Sequence, residues 1–282
     1  MFKSLATLAL ALTISVTSKA DNKTIILTEK NTIVLRDLID EQSVAQVQDK
    51  AIRLSHTLPA NSTIYLFLDT PGGDIRSGST LITTLKGLPQ RVDTITNFAA
   101  SMGFITVQSL GRRYVLPTGT LMSHRARGGM TGQIPGELNS RLSFFTGVLD
   151  VQDAVIAGRL KLSKKEYQNL IVNEYWTYGS NAVANNVADE VVNVRCDKAL
   201  SEGRTAQTLE TFFGPIQLVY SNCPLINTPL EVKFEQVRTN DDNVDGHSVP
   251  QTVRRMVLSL AFDKINFYEN YVVTNEYKKV FP

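Results

Sequence analysis

The chain has 282 residues, 43% of them hydrophobic and 20% charged, with 17 Gly, 10 Pro and one Trp. That composition excludes a disordered, collagen-like or polytopic membrane protein and fits one large or two small domains. The formal net charge is +2, and the whole of that surplus sits in the first twenty residues.

Those residues read MFKSLATLALALTISVTSKA: a basic start at Lys3, an apolar run over 5–16, then a polar stretch ending in the small residues Ser18 and Ala20. This is the three-part layout of a secretory signal peptide, with cleavage expected before Asp21. An uncleaved anchor is the alternative, but the apolar run falls well short of the roughly 20 residues that span a bilayer. Removing residues 1–20 takes away Lys3 and Lys19 and no acid, leaving 27 basic against 27 acidic residues. A neutral mature chain argues against electrostatic capture of nucleic acid or anionic membrane as its function.

Residues 24–27 and 32–35 have the pattern of short strands, and the apolar spacing of 42–56 predicts an amphipathic helix. The continuous run TIYLFL at 63–68 suits a strand buried on both faces, and it ends at Thr70-Pro71-Gly72-Gly73. A helix over 74–86, a strand over 92–96, a helix over 101–110 and strands over 114–116 and 120–123 follow. Alternating strands and helices argue for an α/β core whose site lies on loops at strand ends. Residues 137–160 are helical in pattern, Ser163 N-caps a second helix, a short helix runs from Gly179 to about 187, and 190–194 reads as a closing strand.

Beyond Arg195 the pattern is less regular. Stretches at 216–220 and 230–234 are β-like, 239–246 is a polar loop and 251–262 a helix, so residues 196–282 form a separate α+β extension. Cys196 and Cys223, the two cysteines, are a candidate disulfide in an exported protein, the other reading being two unrelated buried thiols. Asp241-Asp242-Asn243-Val244-Asp245-Gly246 opens like a calcium loop, but Thr252 stands where a bidentate Glu is required, so the segment reads as a solvated turn and no metal is expected.

Acyl transfer needs a nucleophile, a base in reach and donors for the developing oxyanion. Ser101, in Ala99-Ala100-Ser101-Met102-Gly103, follows an apolar strand and opens a helix, where small neighbours allow a sharp turn and helical N–H groups are free. Taken alone, it reads more readily as a helix N-cap. His124, one of three histidines, ends a strand before Gly128-Gly129 and is placed where a base could approach that helix start. Gly72-Gly73 can present backbone N–H groups, though a tight turn explains it equally well.

The three motifs in this order, Thr-Pro-Gly-Gly, Ala-Ala-Ser-Met-Gly and Ser-His-x-x-x-Gly-Gly-x-x-Gly-Gln, resemble the proteolytic subunit of the Clp protease family over residues 24–194. The resemblance implies a Clp-protease/crotonase-like α/β fold of repeated β-β-α units over residues 21–195, with Ser101 as nucleophile and His124 as its base. It maps the oxyanion donors to the N–H groups of Gly73 and Met102, the substrate-lining positions to Gly72, Gly128 and Gly129, and the third triad member to Glu174. A glutamate there departs from the family's aspartate, and Asn173 is a neighbouring alternative. The family's proline after its histidine motif is replaced by Arg125-Ala126. The resemblance further makes helix 137–160 a ring-packing handle and segment 128–133 a substrate-lining strand, hence a homo-oligomer.

Export departs from the family's habit of working with a ring ATPase, because ATP is scarce outside the bacterial cytoplasm. The expectation is an exported, ATPase-independent serine endopeptidase, periplasmic or secreted, acting on peptides or unfolded protein and needing no cofactor. A non-catalytic scaffold on the same fold and a crotonase-type acyl-CoA enzyme are the rivals. The first would show no activated serine, and the second would bind its ligand without acylation.

Overall fold

The computed structural model describes residues 22–211 and 214–234. The leader, the polar loop 239–246 and the helix expected over 251–262 lie outside the described residues.

The elements run β1 (Thr24–Leu27), β2 (Thr32–Arg36), α1 (Glu41–Thr57), β3 (Thr63–Thr70), α2 (Ile75–Lys86), β4 (Arg91–Ala100), α3 (Met102–Ser109) and β5 (Arg113–Ser123). They continue through α4 (Gly136–Leu160), α5 (Lys164–Leu170), β6 (Tyr175–Tyr178), α6 (Gly179–Ala184), β7 (Glu190–Val191) and β8 (Asn193–Cys196). The extension adds α7 (Lys198–Glu202), β9 (Arg204–Thr211), β10 (Gly214–Ser221) and β11 (Glu231–Phe234). The main sheet has the order β2-β3-β4-β5-β6, with β7 also pairing to β5. Strands β2 to β5 are parallel, and β6 closes the sheet antiparallel to β5.

The apolar run of β3 is buried on both faces because the two sides of the sheet have different covers. Ile64, Leu66 and Leu68 point into a core formed with α1, α2, α3 and α5. Phe67, on the alternate face, packs with Ile25, Leu27, Ile95 and Tyr114 and with Cys196 and Cys223. The parallel pair of β1 with β8 covers that second face, so such a strand carries apolar residues on consecutive positions. Helix starts are fixed locally: Asp40 and Ser43 form a capping box on α1, Asp74 caps α2, and Ser163 with Glu166 caps α5, as its sequence predicts.

Several elements differ from expectation. The strands expected at 114–116 and 120–123 are one strand, irregular around Pro117 and Gly119, where the register steps from Thr96↔Val115 to Phe98↔Thr120. The closing strand expected at 190–194 divides. Glu190 and Val191 pair with β5, while Asn193–Cys196 turns away to join β1. Strands β6 and β9 lie in segments with no apolar run long enough to mark them. Cys196 and Cys223 form a disulfide, with Cα atoms 5.8 Å apart. The described part of the extension is α7 and an antiparallel sheet of order β11-β10-β9.

Candidate active site

The site grows from the ends of β3, β4 and β5, which run side by side and stop at one edge of the sheet. At the end of β4 the Ser101 N–H donates to Met122 O (2.9 Å), prolonging the β4–β5 pairing by one residue. The chain then turns into α3 with Ser101 at φ 54° and ψ −118°, a conformation that a residue with a Cβ rarely adopts. Ser101 holds the N-cap position of α3, but its side chain makes no capping hydrogen bond. Its hydroxyl is therefore not spent on the helix, which sets aside the simple N-cap reading.

The small residues around Ser101 allow the turn to be closely approached. A Cβ on Gly72 would lie 2.6 Å from Ala100 O and 2.7 Å from both Met102 N and Ser101 Cβ, and Gly72 has φ 93°. Only glycine meets both demands, so the turn after β3 lies directly against the serine turn. Gly73, at φ 152°, is pressed as closely on Ile39. Ile39 N donates to Gly72 O and Asp74 N donates to Ile39 O, both at 2.8 Å. That bridge uses the groups either side of Gly73 and not its own N–H. Among the described residues no turn, cap or side-chain acceptor takes the N–H of Gly73 or of Met102, the first residue of α3. Both are unspent donors at a helix start and a glycine turn.

His124 directly follows β5 and is half-buried, and its Nδ1 is buried without a hydrogen-bond partner. Burial, then the nearby Arg127 cation, hold the imidazole below its ordinary pKa, with Glu174 pulling the other way. Ser101, Met102 and His124 line one cleft of about 420 Å³, together with Ile75, Ile105, Ile156 and Tyr167. The Tyr167 and Ser123 hydroxyls are hydrogen-bonded at 2.7 Å, and burial pushes the Tyr167 phenol up to about 12.

Glu174 reaches the His124 field but not its ring nitrogen. Its carboxylate accepts from Arg127 Nη2 (2.8 Å) and Trp176 Nε1 (3.2 Å). Asn173 is exposed. Gly128 and Gly129 are exposed, with open space around them, and segment 128–133 forms no strand. The sequence carried no sign of the Arg127–Glu174 pair, since nothing in the spacing of Arg127 and Glu174 marks a contact 47 residues apart. Nothing in the sequence singles out Tyr167, whose partner Ser123 lies 44 residues away.

A family model of the Clp protease matches residues 16–195, and the chain belongs to the Clp protease family. The chain is similar to ATP-dependent Clp protease proteolytic subunit 3 of Streptomyces coelicolor, 32% identical over 109 residues, which is 38% of this chain and 50% of that protein. It is also similar to proteolytic subunit 1 of Streptomyces avermitilis, 31% identical over 103 residues, 36% of this chain and 47% of the relative. The chain thus spans about half the length of the curated relatives it matches. The architecture is the Clp-protease α/β fold with an added C-terminal β region.

Proposed function

We propose that the protein is an exported serine endopeptidase that works without an ATPase and hydrolyses peptides or unfolded segments of protein. The observation that carries this reading is the strained, uncapped Ser101 at the strand-to-helix turn, sharing a cleft with His124. Strain of this kind costs about 1–3 kcal/mol and persists where the fold over-determines it, commonly at reactive centres. A scaffold would have no use for it.

In this mechanism the Ser101 Oγ attacks the peptide carbonyl as His124 Nε2 takes its proton, since Nδ1 faces the interior. The Gly73 and Met102 N–H groups hold the oxyanion. Collapse breaks the C–N bond, with the imidazolium returning the proton to the leaving amine, and water then hydrolyses the acyl-enzyme by the same route. Glu174 completes the triad by moving its carboxylate from Arg127 to the unpartnered Nδ1 as substrate closes the site, in line with the looseness of such bonds before substrate binds. No cofactor enters.

Export is supported by the three-part leader and by the Cys196–Cys223 disulfide, a bond favoured in oxidising compartments. Self-association is supported by α4, where only Ile156, Ala157 and Leu160 are buried and Leu142 and Phe144 are more than half exposed. Intact-mass measurement after fluorophosphonate treatment tests the reading. A single adduct is expected on the wild type and on neither Ser101→Ala nor His124→Ala. No adduct on folded wild-type protein rejects the peptidase and favours the scaffold.

A further inference from the structure

The C-terminal extension meets the catalytic fold close to the Gly72-Gly73 turn, through a polar cluster that the proposed mechanism does not use. Cys223 is tied to β8 by the disulfide, and Leu230 N donates to Val219 O (2.7 Å), so the loop between them is pinned at both ends. Arg36 Nη2 donates to Pro224 O (2.8 Å) and to Asn227 Oδ1 (2.7 Å). Asn227 Nδ2 in turn donates to Asp69 Oδ2 (2.7 Å). A guanidinium only donates and a carboxylate only accepts, so these two neighbours fix which way the Asn227 amide faces. The other Asp69 oxygen accepts from Asn97 Nδ2 (3.0 Å), a residue inserted in β4 where its register shifts.

Asp69 and Arg36 are register partners on β3 and β2, and each leads straight into the segments that hold Gly73. Asp37 N donates to Asp69 O (3.2 Å), and the Thr70 hydroxyl donates to Asp37 O while accepting from Gly72 N (3.1 Å). Ile39 then brackets Gly73 through Gly72 O and Asp74 N. An unbroken set of hydrogen bonds therefore runs from Asn227 to the turn that presents the Gly73 N–H. Both β3 and β4 shift register at this level, so regular ladder bonds alone do not set where β3 ends.

We propose that the extension is a brace for the oxyanion turn and that Asn227 is a positioning residue, acting through Asp69 and Arg36 on the placement of Gly73. The proposal rests on the peptidase reading of Ser101. Burial raises the Asp69 carboxyl above its ordinary pKa, opposed by Arg36 and by the Asn97 and Asn227 hydrogen bonds and aided by the Asp37 charge. Asn227 is exposed, so replacing it leaves the hydrophobic core intact.

The test compares full-length, oxidised wild type with Asn227→Ala and Asn227→Asp, following amide exchange by mass spectrometry and the rate of fluorophosphonate labelling of Ser101. In Asn227→Ala, exchange over 37–39 and 70–74 is expected to rise and labelling to slow, each by about tenfold, the weight of one hydrogen bond to a charged group. Exchange over 63–67 stays as in the wild type. Asn227→Asp sets a second carboxylate against Asp69, with Arg36 as the adjacent cation and Asp37 adding repulsion. Its labelling, relative to wild type, falls at neutral pH and recovers as acid lets the two carboxylates share a proton, whereas Asn227→Ala shows no recovery. Wild-type exchange and labelling in both folded variants, or a rise in exchange spread evenly over the chain, overturns the brace. A localised rise in exchange in a protein whose wild type takes no label supports the brace and rejects the peptidase.

Discussion

At the scale of single residues, the proposed chemistry turns on what Ser101 and His124 are prevented from doing. The Ser101 backbone is held outside the regions open to most residues and its side chain caps nothing, so the hydroxyl has no competing structural task. His124 is kept neutral to lower pH than an ordinary histidine because burial and Arg127 both penalise its charged form. A base must be unprotonated to accept the serine proton, so labelling of Ser101 is expected to persist below the ordinary histidine pKa of about 6.5 before falling in acid. Replacing Arg127 with Gln removes a repelling cation and frees the Glu174 carboxylate of its ion pair, leaving the Trp176 hydrogen bond. The acid midpoint of the labelling rate should then move upward, and an unchanged or lower midpoint would show that Arg127 does not govern this histidine.

Elements matter here chiefly through their ends. Strands β3, β4 and β5 are parallel, so their C-terminal ends coincide, and the Gly72-Gly73 turn, Ser101 and His124 meet without long loops. The face away from the helices is sealed by β1, β8 and the Cys196–Cys223 bridge, whose buried sulfurs pack near Phe67 and Ile95. That bridge closes a loop of 27 residues by sequence separation. Cys196→Ser with Cys223→Ser should cost about 2–4 kcal/mol, seen as a lower urea midpoint. Adding reductant to the wild type should give a matching shift, and a midpoint indifferent to reductant would mean that the bridge adds no stability.

For the whole molecule, the proposed self-association rests on α4. Its C-terminal turns sit on the core, while Leu142, Phe144 and Phe145 face outward. Such side chains on one helix make an apolar surface that a second copy can cover. Phe144→Glu should shift sedimentation toward the monomer while near-ultraviolet spectra stay native, because the residue contacts no core. An oligomer that survives this change would move the interface elsewhere.

The local pieces of the fold and of the candidate site are legible in the sequence, because each depends on neighbours along the chain. Glycine pairs mark turns that only glycine can make, and an apolar run ending in small residues marks a buried strand feeding a tight turn, as at 63–73 and 95–103. Caps at Asp40, Asp74 and Ser163 are fixed by residues three positions apart. The tertiary structure decided what depends on distant partners. Glu174 met Arg127 instead of the histidine ring, Asn193–Cys196 left the main sheet for β1, and Asn227 reached Asp69 across 158 positions. Side chains of mixed polarity state no preference among partners until folding brings one within hydrogen-bond range, and that choice belongs to the packed chain rather than to any stretch of it.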